Sequence, residues 1–215
     1  MRINSEDVSS YIDEIQPLCT GALGEIQAQA LRDGLPIIPP AVARFMSTLL
    51  SIHRCGSILE VGCAVGFSAA LMALYLIPGG HITTIDRYDL MIARARENFR
   101  KLGLEDTVTL LEGDARDILP TLSGPYDFVF LDAAKGQYQL FFHECIRLMR
   151  PGGVLLADNV LQGGNTAADR YEIARRQRTT HTRLRALLKE ACNTPGLESS
   201  IIPIGDGLLL VYKDY

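Results

Sequence analysis

Five short apolar runs, each rich in β-branched or aromatic residues, alternate with helical segments along the middle of the chain. They are "SILEVG" (57–62), "HITTID" (81–86), "TVTLLEGD" (107–114), "YDFVFLDA" (126–133) and "GVLLADN" (153–159). The segments between them, such as "GFSAALMALYLI" and "YDLMIARARENFRKLGL", place apolar residues at helical spacing. Strands alternating with helices specify a mostly parallel sheet with helices on both faces. The near-continuous apolar character of the runs agrees with burial on both sides. The first 50 residues read as helices. "SEDVSSYIDEIQPL" opens on Ser and acidic residues, and "PPAVARFMSTLLSIHR" opens on proline. The end breaks the alternation, because "SSIIPI", a "GDG" turn and "LLLVYK" read as a hairpin that adds an antiparallel strand.

A chain of 215 residues is long enough for one substantial core. We expect a single domain over 1–215, with an N-terminal helical cap over 1–53 and a Rossmann-like core over 54–215. No apolar stretch approaches the ~20 residues that cross a bilayer. "MRINSEDVSS" carries no apolar signal region. The five cysteines are scattered, without a CxxC pair, which argues against a disulfide framework or a zinc site and suits a reducing cytoplasm. Net charge is −4, so nothing global points to nucleic acid. Residues 170–190 depart from this, with seven Arg or Lys against Glu172 and Glu190. That segment is either a solvated helix face or a patch for a polyanion.

In open parallel sheets, ligands bind at the carboxyl ends of the strands, so those ends carry the functional reading. The first, "EVGCAVGFS", begins with Glu60 and turns through Gly62 and Gly66 into a helix. Glycine permits a sharp turn, and a helix start offers free N–H groups. The spacing is G-x-x-x-G rather than the dinucleotide G-x-G-x-x-G, which favours an anion smaller than a pyrophosphate, such as a carboxylate, with Ser68 as an added donor. Asp86, 24 residues after Gly62, stands where such folds bind ribose hydroxyls, and would serve equally as a helix cap. Asp114 and Ala115 close the third strand, where an acid accepts from an exocyclic amine or caps a helix. A ligand with a carboxylate, a ribose and a base is S-adenosylmethionine.

Asp132, Asp158 and Asn159 supply oxygen ligands from two strand ends, a set suited to Mg²⁺, Mn²⁺ or Ca²⁺. Two such carboxylates without a cation would repel, and one would tend to stay protonated. Lys135 follows near a helix start, where the dipole disfavours a cation; beside a metal it is a candidate general base. The four histidines form no ligand-spaced set.

"ILEVGCAVGFSA", "FLDAAKGQY", "DNVLQGG" and "IPIGDGLLL" resemble, in content and order, the metal-dependent, S-adenosylmethionine-dependent O-methyltransferases that include catechol and caffeoyl-CoA methyltransferases. The resemblance runs from about residue 35 to the end. It implies the class I methyltransferase fold, α/β with a seven-stranded, mostly parallel sheet and one antiparallel strand. It implies cofactor contacts at Ile38, Glu60, Gly62, Ser68, Asp86, Asp114, Ala115 and Asp132. It also implies metal at Asp132, Asp158 and Asn159, with Lys135 as the base, and a homodimer, with the N-terminal helices either its interface or a cap over the active site. "DAAKGQYQLFF" with "DNVLQGG" looks closest to the bacterial tRNA 5-hydroxyuridine methyltransferases. That branch implies tRNA as partner through 170–190 and 5-methoxyuridine at the wobble position as product. The alternative is methylation of a small catechol-like or hydroxycinnamoyl-thioester acceptor. A nicotinamide-dependent oxidoreductase and a non-catalytic nucleoside-binding module are the readings from other classes.

Overall fold

A computed structural model describes residues 6–215. Ser5, expected to open the first helix, lies outside the described residues. Seven strands form one sheet in the order β3-β2-β1-β4-β5-β7-β6, the class I methyltransferase arrangement expected from the sequence. By internal packing the chain divides into two compact units, one ending at Asp114 and one beginning at Ala115.

The first unit holds three helices, α1 (Glu6–Ile15), α2 (Gly21–Arg32) and α3 (Pro40–Ile52), then β1 (Cys55–Val61), α4 (Phe67–Ala73), β2 (Leu76–Asp86), α5 (Asp89–Leu102) and β3 (Val108–Glu112). β2 pairs in parallel with both β1 and β3, so that Val61 stands beside Ile85 and Asp86 beside Glu112. Ile58, Leu59, Val61, Ile82 and Ile85 are buried. Each such side chain contributes roughly 1.5–3 kcal/mol on leaving water. α5 carries Asp89 in its first turn and Arg100 and Lys101 in its last, each complementing the helix dipole, and Gly103 closes it in the left-handed region.

One expectation needs correction here. "GFSAALMALYLI" reads as one helix, but α4 stops at Ala73 and β2 begins at Leu76. Leu76 pairs with Cys55 ahead of an irregularity in the ladder. Tertiary pairing overrides the local helical preference of leucine.

The second unit holds the short α6 (Ala115–Ile118), β4 (Tyr126–Leu131), α7 (Tyr138–Leu148), β5 (Met149–Ala157), α8 (Arg178–Ala191), β6 (Leu197–Ile202) and β7 (Leu208–Lys213). β4 and β5 are parallel, with Leu131 beside Ala157. β7 runs antiparallel to both β5 and β6, as the terminal hairpin pattern predicts. Phe128 to Leu131 and Leu155 to Ala157 are fully buried. Among the described residues no helix is long and apolar enough to cross a membrane.

Candidate active site

In the first unit, the turn after β1 is built around Asp86. One carboxylate oxygen, Oδ2, accepts the N–H groups of Cys63 (3.0 Å) and Ala64 (2.8 Å). The other, Oδ1, accepts those of Arg87 (2.7 Å) and Tyr88 (3.0 Å). Four backbone donors thus converge on one buried carboxylate. Asp86 therefore holds the turn between β1 and α4 together. Gly66 starts α4 at φ 79°, and a Cβ there would lie 2.8 Å from the Phe99 ring.

Glu60 is fully buried and accepts from Ser68 Oγ and Thr84 Oγ1, both at 2.5 Å. The Ser68 hydroxyl proton, expected to reach a bound carboxylate, is therefore directed at Glu60. Thr84, on β2, escaped sequence reasoning because a threonine inside a strand is unremarkable until its partner is known. Burial, followed by the Glu60 and Asp86 charges, pushes the Cys63 thiol well above its ordinary range, so it is no nucleophile. Asp114 pairs with the Arg87 guanidinium at 2.9 Å, and that guanidinium lies 5.2 Å from the Tyr88 ring centroid. Arg87 was also missed, although "IDRYD" sets it next to a strand-end acid. Ile38 is buried just before α3.

In the second unit, Ala115 opens α6. Because Leu131 and Ala157 are register partners, Asp132 and Asp158 leave the sheet on adjacent strands, and the Asp158 N–H donates to Leu131 O at 3.0 Å. Asp158 is 1% exposed and its carboxyl is pushed up to about 7, first by burial and then by the Asp132 charge. Asp132 is pushed up to about 6 by burial, with Lys135 pulling the other way. Asn159 follows at φ 57°, a left-handed conformation that asparagine tolerates better than most residues. Lys135 lies in a 3-10 turn, Lys135–Gln137, and its Nζ stands 3.8 Å from Asp206 Oδ2 in the hairpin between β6 and β7. The buried Tyr138 donates its hydroxyl to Asp158 O at 2.9 Å, with Leu131 O at 3.3 Å. Neither Asp206 nor Tyr138 was singled out from sequence, though both lie in the quoted "GDG" and "GQY" stretches.

Asp132 and Asp158 thus lie close enough to sense each other's charge, with Lys135 near both and Asn159 next along the chain. Among the described residues no group of three or more His, Cys, Asp and Glu side chains is gathered for a metal; the donors here are two carboxylates and an amide. Oxygen donors of this kind would suit a hard divalent cation; burial raises both carboxyls, and the Asp132 charge raises Asp158 further.

The basic segment 170–190 takes a structural role. α8 buries His181, Leu184, Leu187 and Leu188 and turns its charges outward. Arg183 donates to Gly136 O at 2.5 Å, Arg185 to Thr166 O at 3.2 Å and Arg178 to Tyr171 O at 3.3 Å. Three of the seven cations therefore fold back onto the chain's own backbone.

A model of the family described as O-methyltransferase matches residues 9–214. A catechol O-methyltransferase of Niastella koreensis is 33% identical over 165 residues, 74% of this chain and 75% of that protein. A catechol O-methyltransferase of Mycobacterium tuberculosis is 32% identical over 169 residues, 77% of each. Among solved structures, the SAH-bound methyltransferase PaMTH1 of Podospora anserina superposes with a TM-score of 0.86 at 26% identity, covering 100% of this chain and 98% of that one. These relatives overturn the expectation of a tRNA-modifying branch, and with it tRNA processing, tRNA as partner and the wobble-uridine product. The basic helix α8 is amphipathic, with its apolar face packed. The chain belongs to the S-adenosylmethionine-dependent O-methyltransferase family, on the catechol and caffeoyl-CoA side of it.

Proposed function

We propose that this enzyme methylates a hydroxyl of a small phenolic acceptor bearing a neighbouring oxygen, of the catechol or hydroxycinnamoyl-thioester type. The observation that carries the reading is that Asp132 and Asp158 leave the sheet on adjacent strands, followed by Asn159 on one side and by Lys135 in the next turn on the other. The names of the relatives support it, since they include catechol and caffeoyl-CoA O-methyltransferases.

In this reading the turn from Glu60 to Ser68, with Ile38, Asp86, Asp114 and Ala115, holds the methyl donor. Asp132, Asp158 and Asn159 would hold Mg²⁺ or a similar divalent ion. Bound there, such an ion supplies charge that lowers the pKa of the acceptor hydroxyl and favours two adjacent oxygens over one. Lys135 takes the hydroxyl proton on Nζ. The acceptor oxygen then displaces the sulfonium sulfur at the methyl carbon, forming the O–CH₃ bond as the C–S bond breaks. The residues otherwise contribute alignment, which supplies much of the rate in such displacements.

The experiment is transfer of labelled methyl from S-adenosylmethionine to catechol, with Mg²⁺ and with EDTA, in the wild type and in Lys135→Ala. Mg²⁺-dependent methylation that falls roughly 10²-fold or more in the variant is expected for a general base. Equal transfer in EDTA would remove the metal. Unchanged turnover in Lys135→Ala would remove the base.

A further inference from the structure

We propose that Asp206, in the turn between β6 and β7, is a positioning residue that ties Lys135 to the loop carrying Asn159 and Gln162. The proposal rests on the catalytic reading of Lys135 given above.

The turn grips the loop through four contacts. Asp206 O accepts the Leu161 N–H and Gly207 O accepts the Val160 N–H, each at 2.9 Å. Asp206 Oδ1 accepts the Gly163 N–H. Gly207, at φ 87°, sits so close that a Cβ would lie 2.3 Å from Leu161 Cγ. The gripped loop holds two non-glycine residues at positive φ, Asn159 (57°) and Gln162 (51°). Such conformations persist only where the surroundings over-determine them. The loop also presents Gln162 Oε1, buried without a hydrogen-bond partner.

The second carboxylate oxygen points elsewhere. Asp206 Oδ2 lies 3.8 Å from Lys135 Nζ, with both side chains about one-third exposed. An ion pair this exposed adds little stability. It does tether a long, flexible side chain to the β6–β7 turn. Arg183 fixes the Lys135–Gln137 turn from α8 through Gly136 O. One carboxylate therefore reads the loop with Oδ1 and the lysine with Oδ2. Its chemistry is positional, since Asp206 needs no contact with the acceptor.

Asp206→Asn keeps an oxygen for Gly163 and loses the charge on Lys135, whereas Asp206→Ala loses both. With catechol as probe, Asp206→Asn is expected to lower kcat roughly 10- to 100-fold, the order that a misplaced reacting group costs, with KM little changed. In a Lys135→Met background the same substitution should change residual kcat less than about twofold, because the two residues act as a unit. Equal fold-losses in both backgrounds, or full kcat in Asp206→Asn, would overturn the proposal. Two readouts do not depend on turnover. Acetylation of Lys135 by an activated ester, mapped by mass spectrometry, should quicken several-fold in Asp206→Asn, because Nζ is no longer held against the carboxylate. Gly163 amide exchange should quicken in Asp206→Ala and not in Asp206→Asn. If the wild type left catechol unmethylated, the acceptor reading would fail on its own. The labelling and exchange rates would still decide Asp206, with unchanged rates refuting it.

Discussion

Tyr138→Phe isolates a single hydroxyl beneath the acid pair. Tyr138 is fully buried, and its ring packs where the chain leaves the Lys135 turn for α7. The hydroxyl donates to Asp158 O at 2.9 Å, with Leu131 O at 3.3 Å sharing the proton. Phenylalanine keeps the ring and leaves no cavity worth a carbon atom, so the loss is confined to hydrogen bonding. Leu131 O keeps its bond from the Asp158 N–H at 3.0 Å, so the burden falls on Asp158 O. Leaving one buried acceptor short of its donor costs about 1–2 kcal/mol. For a chain of this size each kcal/mol moves Tm by roughly 2–4 °C, so a fall of about 2–8 °C is expected. The assay is thermal unfolding of wild type and variant at one pH in EDTA, with methyl transfer measured alongside. A Tm within about 1 °C of wild type, smaller than that range allows, would refute the reasoning and show that the Asp158 carbonyl finds another donor. A fall well beyond about 8 °C would refute it from the other side, because hydroxyl loss alone could not supply it.

Other substitutions test the remaining parts. Gly66→Ala forces a side chain into φ 79° and against Phe99 at 2.8 Å, and should cost about 2–4 kcal/mol in urea unfolding while weakening S-adenosylmethionine binding. Ser68→Ala removes one donor from the fully buried Glu60 and should destabilise by about 1.5–3 kcal/mol; a neutral result would mean that Glu60 does not rely on it. The Asp158 carboxyl, raised from 3.8 to about 7, favours the folded state while protonated, so its contribution is present at low pH and is lost as pH rises through about 7. In EDTA, Asp158→Asn should therefore leave stability at pH 4 nearly unchanged and raise it at pH 8 by on the order of 2 kcal/mol. Equal effects at the two pH values would contradict the raised carboxyl. Mg²⁺ should stabilise the wild type at pH 8 and not this variant's metal-poor site, checked by the Tm difference with and without the ion.

Much of the architecture was legible in sequence because it rests on local pattern. The apolar runs ending at Val61, Asp86, Glu112, Leu131 and Ala157 are strands, and the terminal hairpin turns through Gly205 to Gly207 as its residues predict. The strand-end positions of Asp86, Asp114, Asp132, Asp158 and Asn159 were legible for the same reason, since a polar residue at the close of a buried strand is visible in one dimension. Partners were not visible. Asp86 collects amides from the turn after β1, 22 and 23 residues away in sequence, and Glu60 collects Thr84 from the neighbouring strand. Such bonds exist only once the strands pair. The break of helix α4 before Leu76 was decided by pairing with Cys55, and the role of 170–190 by which face of α8 the core covers. The sequence by itself determined the fold class and where chemistry-bearing side chains would emerge, because periodicity and strand-end polarity are properties of short segments. Only the tertiary structure decided that Asp206 reaches Lys135, that Tyr138 bonds beneath the acid pair and that Ser68 faces Glu60. Those contacts join residues distant along the chain, and the free energy of a hydrogen bond depends on who is within reach, not on who is next in line.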